Sequence, residues 1–484
     1  MKHPIGSLLL AIPVTLLAQP ALAQDNVRVL LKQLNSQVNE LKNQLQQSNS
    51  RINELEKERK QLQSSQPQAA PSTSDSKAAA TVSSSSSSAA TTNAANPADV
   101  AKAENKPVVT VGDVKNTIKI PGTNTSIGFG GFVKTDLIYS SVSAGKDKLG
   151  DQRSVYAEIP LERAPGEHSQ INFHAKESRL WFRSFTPSSW GDVNTFLEMD
   201  LFGDSATYTY TPRLRHAYGS IGNLLVGQTW ATFINNSVFP DLLDNGGSAG
   251  SLTSFRQPQI RWTQPFTLAE TPMEFLAAIE MPRSRVRIDP KANADSFSTP
   301  HADRYPDMVG RVNFNPDWGA VSVSAMGRQI RTTDSKTGRS EQAWGGAVSL
   351  AGKINAFEQD DFRFMFSYGN VLGRYAASNT FEDAAVNKKG DLKLVNVFAA
   401  MFSYQHFWSK DWRSTVAYGF SHADQPDFVG GGMTQQIQSA HANLLWSPVS
   451  QATFGIEYIY MQRDALDGRD GNVNRGQFSA RYNF

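Results

Sequence analysis

The sequence predicts an all-β transmembrane barrel of sixteen antiparallel strands, preceded by an N-terminal α-helical coiled coil and a disordered linker. Three observations carry that expectation. Sixteen segments alternate apolar and polar residues between turn signals, centred on Val133, Phe182, Leu197, Ala217, Val226, Ile260, Ala277, Val312, Val323, Val348, Phe364, Phe398, Ala417, Leu444, Ile456 and Ala480. Their connections alternate in length, with short ones at 187–191, 221–223, 316–319, 408–412 and 447–451 and long ones near 141–168, 233–254, 282–306, 370–391 and 421–436. An even strand count with tight turns at one end and long loops at the other is the pattern of a membrane barrel. Finally, Phe478, Ala480, Tyr482 and Phe484 alternate with polar residues up to the carboxyl terminus, so the last strand must pair or leave a bare edge. Ile127, Phe129, Gly131, Val133 and Leu137 offer the partner, and that pairing closes the sheet.

In chain order, Lys2 and His3, an apolar run from Ile5 to Leu17 and the ending Ala21-Leu22-Ala23 form a secretory signal peptide over residues 1–23. The remainder is therefore exported. Over 24–63, apolar residues recur at Val27, Leu31, Leu34, Val38, Leu41, Leu45, Ile52, Leu55 and Leu62, with Ser48 and Arg59 completing a register in steps of four and three, the repeat of a coiled coil that needs a partner helix. Residues 64–110 are rich in Ser, Ala, Thr and Pro, including the run Ser83 to Ser88, and bury too little to offset their ordering entropy. They form a tether between a periplasmic coiled coil and a barrel at 111–484. Hydrophobic residues make up only 39% of the chain and mean hydropathy is −0.40, as suits a wall that needs one apolar side chain in two. After the signal peptide no run of about 18 apolar residues remains, which excludes helical spanning. The net charge of +2 argues against a nucleic-acid-coating protein, and the absence of Cys removes disulfides and thiolate chemistry. No cofactor or metal site is expected. Trp190, Trp318, Trp408, Trp412 and Trp446 lie in or beside short turns, where a periplasmic aromatic girdle belongs.

If apolar residues face lipid, strand parity sends the others inward. With Leu180 and Phe182 outward, Arg179 and Arg183 point in; with Leu214, His216 and Tyr218 outward, Arg213 and Arg215 point in. The same rule turns Arg261, Arg311 and Arg363 inward, and Glu198 and Asp200 between the first two pairs. An arginine ladder suits an anion path, because guanidiniums keep their charge and grip carboxylates in pairs. The two acids either temper the ladder or stiffen the wall. The loop from Phe233 to Ser254 carries Pro240-Asp241-Leu242-Leu243-Asp244-Asn245-Gly246-Gly247 and is expected to fold into the lumen, Leu242 and Leu243 against the wall and Asp241 and Asp244 across from the arginines. The alternative is a surface loop capping the mouth.

The stretches Gly131-Phe132-Val133-Lys134-Thr135-Asp136, Leu225-Val226-Gly227-Gln228-Thr229-Trp230 and Pro240-Asp241-Leu242-Leu243-Asp244 resemble the DcaP-like outer-membrane porins of Gram-negative bacteria, over nearly the whole mature chain. That resemblance implies a homotrimer in outer-membrane lipid and passive diffusion of small organic anions such as dicarboxylates, with arginines lining the eyelet. The terminal Phe likewise resembles the closing strand of outer-membrane barrels. A barrel enzyme is the less favoured reading, since His174, His216, His406 and His441 stand in no G-x-S-x-G or H-E-x-x-H context. A structural envelope tether, with the barrel mainly as anchor, remains the alternative function.

Overall fold

The computed structural model describes residues 110–142, 153–162, 168–203, 209–252, 255–289, 302–333, 338–376 and 379–484, together with Ser50 and Lys57. The predicted signal peptide lies outside the described residues. So do the coiled coil and linker, apart from Ser50, Lys57 and Thr110. The barrel lies within the unit Ala103–Phe484.

Sixteen strands form one closed antiparallel sheet. They are β1 Ser126–Ser140, β2 in two pieces at Gln170–His174 and Arg179–Thr186, β3 Val193–Asp200, β4 Arg213–Ile221, β5 Leu224–Trp230, β6 Arg256–Leu268, β7 Thr271–Glu280 and β8 Asp307–Phe314. The second half comprises β9 Gly319–Thr333, β10 Ser340–Ala356, β11 Asp360–Gly369, β12 Asn396–Phe407, β13 Trp412–Asp424, β14 Thr434–Val449, β15 Ala452–Ala465 and β16 Asp470–Asn483. Each strand contains one of the centres read from the sequence. β16 pairs with β1 in the register Phe478↔Leu137 and Tyr482↔Val133, so first and last strands close the barrel. The terminal residue completes the seam, Gly131 N–H donating to Phe484 O and Phe484 N–H to Gly131 O, each at 3.1 Å.

Apolar side chains alternate outward along the wall, among them Phe129, Leu180, Val226, Val323, Phe402 and Ile456, all exposed as lipid-facing residues would be. The five turn tryptophans are exposed at the tight-turn end, with Trp412 and Trp446 stacked at 5.7 Å. Two tight turns escaped the sequence reading because they lack a glycine or asparagine signature. Ala269 and Glu270 (φ 47° and 65°), in a two-residue loop, and Phe357 and Glu358 (φ 41° and 65°), in a three-residue loop, take left-handed conformations that such tight hairpins demand and that these residue types disfavour.

On β4 the expected parity fails. The β3–β4 register shifts between Glu198 and Met199, so that Glu198 faces His216 while Met199 faces Leu214. Arg215 is the extra residue of this bulge. Consequently Ala217, opposite the exposed Leu197, takes the outward place expected for His216 and Tyr218. His216 is 5% exposed and its Nδ1 lies 3.0 Å from Thr229 Oγ1.

The lumen is filled on one side. Phe233, Ile234, Val238 and Leu252 of the β5–β6 connection and Val371, Leu372, Tyr375 and Phe381 of the β11–β12 connection are buried together against Val309, Met326, Ile330, Met365, Val397 and Met401 of the wall. A buried ion cluster pins the second loop: Arg328 of β9 lies 3.0 Å from Asp307 of β8 and 3.0 Å from Asp383, and donates to Val371 O at 2.7 Å.

Deleting Phe484 removes both terminal seam bonds, at about 1 kcal/mol each. The barrel should lose its heat-resistant mobility in SDS gels at a lower temperature than the intact chain. An unshifted transition would show that the seam does not depend on the terminal residue.

Candidate functional site

The connection between β5 and β6 enters the lumen and runs along the inner wall. Buried backbone groups must find partners, and the wall supplies them. Arg311 donates to Thr232 O at 2.9 Å and Ile234 O at 2.7 Å, and Arg363 donates to Phe239 O. Lys134 Nζ and Gln477 Nε2 donate to Leu243 O at 2.7 and 3.0 Å, while Leu243 N–H donates to Glu457 at 2.5 Å. Farther along, Ala249 N–H donates to Ser439 Oγ at 2.9 Å. Gly250 then passes so close to the wall that a Cβ would meet Ala400 O at 1.5 Å. The loop thus spans from β8 across to β15, β16 and β1.

Its two acids have different surroundings. Asp241 keeps a side chain 38% exposed and pairs with Arg413 at 2.8 Å. Asp244 is buried, accepting from Ser154 N–H at 2.9 Å, Gly246 N–H at 2.9 Å and Gly247 N–H at 3.1 Å, with Arg475 at 3.6 Å. Burial pushes its carboxyl above the ordinary value, against the opposing effects of His441 and the Ser154 hydrogen bonds. Leu243 is buried and Leu242 half-buried.

Beside this loop lies a polar recess of about 280 Å³ lined by Arg153, Arg179, Arg213, Arg215 and Arg256, with Trp230, Asn236, Phe239, Asn245 and Gly246. Three carboxylates hold the arginines. Asp200 accepts from Arg213 Nε at 2.9 Å and Arg215 at 2.9 Å; Glu198 accepts from Arg215 Nε at 2.5 Å and lies 3.9 Å from Arg179; Glu177 lies 3.3 Å from Arg179. Arg153 and Arg256 have no salt bridge among the described residues. Trp230 separates like charges, with Arg256 4.6 Å and Arg215 5.6 Å from its ring centroid. Burial and the neighbouring Arg213 guanidinium both lower the pKa of Arg153, which enters from the β1–β2 loop.

The expected ladder therefore divides. Arg179, Arg213 and Arg215 meet in the recess with Glu198 and Asp200; Arg311 and Arg363 hold the infolded loop; Arg183 donates to Lys115 O at 2.5 Å; Arg261 is half-buried on β6. Arg153 and Arg256 were not anticipated. A loop residue has no parity, and Arg256, counted back from the outward Ile260, falls on the lipid side. Its pair with Trp230 is the last rung of the β5–β6 ladder, where the chain leaves the wall and both side chains turn inward.

A family model described as DcaP outer membrane protein matches residues 96–484. The chain belongs to that family. Among solved structures, the outer membrane channel DcaP of Acinetobacter baumannii has 21% sequence identity and a TM-score of 0.64, covering 76% of this chain and 99% of that one. An anion-selective porin from Comamonas acidovorans (11% identity, TM-score 0.47) covers 74% of this chain and 100% of that one. OmpT of Vibrio cholerae in its trimer form (12% identity, TM-score 0.46) covers 74% and 99%. A search of curated proteins returned no significant match. Family membership and the closed barrel make this DcaP-family chain an outer-membrane protein with a porin-like channel fold.

Gly250→Val cannot be accommodated against Ala400 O and should lift the infolded loop from β12 and β13. Single-channel conductance in a planar bilayer should change and thermal stability should fall by about 1–3 kcal/mol. A variant with unaltered conductance would show that this stretch of loop does not limit the pore.

Proposed function

We propose that this barrel is a passive channel that prefers small organic anions such as dicarboxylates and works as a homotrimer. One observation carries the reading: five guanidiniums face one recess against Glu177, Glu198 and Asp200. Each guanidinium offers paired donors that match a carboxylate. Arg213 and Arg215 are oriented by Asp200 and Glu198. Arg153 and Arg256 provide the surplus. A carboxylate passing along the wall exchanges water for these donors and is handed on, because Arg179, Arg213 and Arg215 each face a competing carboxylate and Arg256 faces the Trp230 ring. That balance of attraction and release is what conduction requires. Arg261 extends the basic wall along β6, and Asp241, paired with Arg413, adds an acidic contact on the loop side.

Two measurements test this. Under a KCl gradient the purified protein should give a reversal potential of anion preference, and succinate added to one side should produce blocking events. Arg213→Ala or Arg256→Ala should each reduce the anion-over-cation permeability ratio several-fold, corresponding to about 1–2 kcal/mol for a charge felt over roughly 10 Å at an effective dielectric near 20. Cation selectivity of the intact channel would overturn the reading.

The two loop acids should separate in the same assay. Asp241→Asn should shift the reversal potential and leave thermal stability nearly unchanged. Asp244→Asn should lower stability by about 1–3 kcal/mol, since it weakens a buried acceptor of three backbone N–H groups. Equal effects of the two substitutions on selectivity would contradict the assignment.

A further inference from the structure

The segment before β1 lies on the inner surface of the barrel at its tight-turn end. Ser126 and Gly128 alternate with the outward Phe129 and so face the lumen. Ser126 is completely buried beneath the segment, its hydroxyl accepting from Asp113 N–H at 2.9 Å and donating to Asp113 Oδ2 at 3.1 Å. Two glycines allow the approach. A Cβ on Gly128 would sit 2.9 Å from Asn116 O, and one on Gly112 would sit 2.9 Å from Ser126 Cβ. Thr110–Val111 pairs with Ile118–Lys119, which pairs in turn with Ser126 and Ile127, so the segment is a short hairpin folded over the rim. From inside, Arg183 of β2, on the turn side of Arg179, donates to Lys115 O at 2.5 Å.

We propose that residues 110–119 form a strap over the inner rim of the periplasmic mouth, which masks Arg183 and narrows the exit, and whose release unmasks Arg183 and enlarges the channel. The contacts favour a releasable element. Apart from Thr117 none of residues 111–119 is buried, Val111 is 87% exposed, and the segment is held by polar bonds and by the exposed Lys119–Asp113 pair at 3.2 Å. Segments with few buried apolar contacts open at low free-energy cost. Because the strap directly follows the linker in sequence, a load on the linker reaches the strap before it reaches the barrel wall. The role given to Arg183 rests on the anion reading, whereas the mechanical device does not.

The test is single-channel conductance of the full chain. Gly128→Val should displace the strap, raise conductance above wild type by tens of per cent and expose residues 110–117 to protease. The chain has no cysteine, so Ile118→Cys combined with Ile127→Cys, directly opposite each other where the hairpin pairs with β1, gives a reversible lock without competing thiols. Oxidised, that pair should conduct at or below the wild-type level with no opening steps; reduction should restore them. Heat-modified gel mobility checks that each variant folds. Equal conductance of Gly128→Val and the oxidised pair, or identical traces before and after reduction, would overturn the strap. Reversal potential separates the two readings: a cation-selective channel that still widens keeps the strap and rejects anion preference, and an anion-selective channel of constant conductance does the reverse.

Discussion

A loop that enters a barrel surrenders water around its backbone, and each N–H and C=O it carries inward must be satisfied by the wall. Here charged side chains do much of that work. Arg311 and Arg363 take carbonyls of residues 232–239, Lys134 takes the carbonyl of Leu243, and Glu457 takes its N–H. Hydrogen bonds to charged groups are stronger than neutral ones, about 1.5–3 kcal/mol net. The loop is therefore held at points on opposite walls, and its path is fixed by charges that, for the same reason, are not available to a solute. A ladder of inward arginines read from parity contains both kinds, and only the surrounding fold separates them.

The remaining lumen is divided by chemistry. Towards β8–β13 the infolded loops meet the wall through Phe233, Val238, Leu372, Phe381 and Tyr375, and the Arg328–Asp307–Asp383 cluster ties the second loop down. Breaking such a buried cluster by removing one partner leaves a charge unpaired, which costs about 3–5 kcal/mol. Packing and ion pairing thus block the same side of the barrel. The polar, half-exposed surface that remains lies along β2–β6, where Arg153, Arg179, Arg213, Arg215 and Arg256 converge.

How much of this could be read beforehand follows from periodicity. A lipid-facing wall forces alternation of two, and all sixteen strands, the closing pair and most turns were visible in it. The Ala269-Glu270 and Phe357-Glu358 turns were not, because their left-handed backbone has no compositional mark. Parity propagates an error as faithfully as a success: one extra residue at Arg215 was enough to send His216 and Tyr218 to the wrong side. Beyond strand ends there is no period at all. Arg153, and the burial of Asp244 by Ser154 from a different loop, depend on contacts that only the folded chain creates. The infolding of the β5–β6 loop was legible from its mixture of apolar and acidic residues, but its acids were not distinguishable.

The recess also explains why its carboxylates do not cancel it. Like charges in a partly buried site repel, and Arg213, Arg215 and Arg256 lie close enough that some compensation is required. Asp200 and Glu198 supply part of it by direct pairing, and the Trp230 face supplies another part between Arg215 and Arg256. Arg153, entering from above with no salt bridge among the described residues, is left with the residue of that repulsion. On the proposed reading, an incoming carboxylate relieves it, while the fixed acids keep the relief small enough that the anion leaves again. Full neutralisation would abolish the preference, and removal of Glu198 and Asp200 would turn a path into a trap.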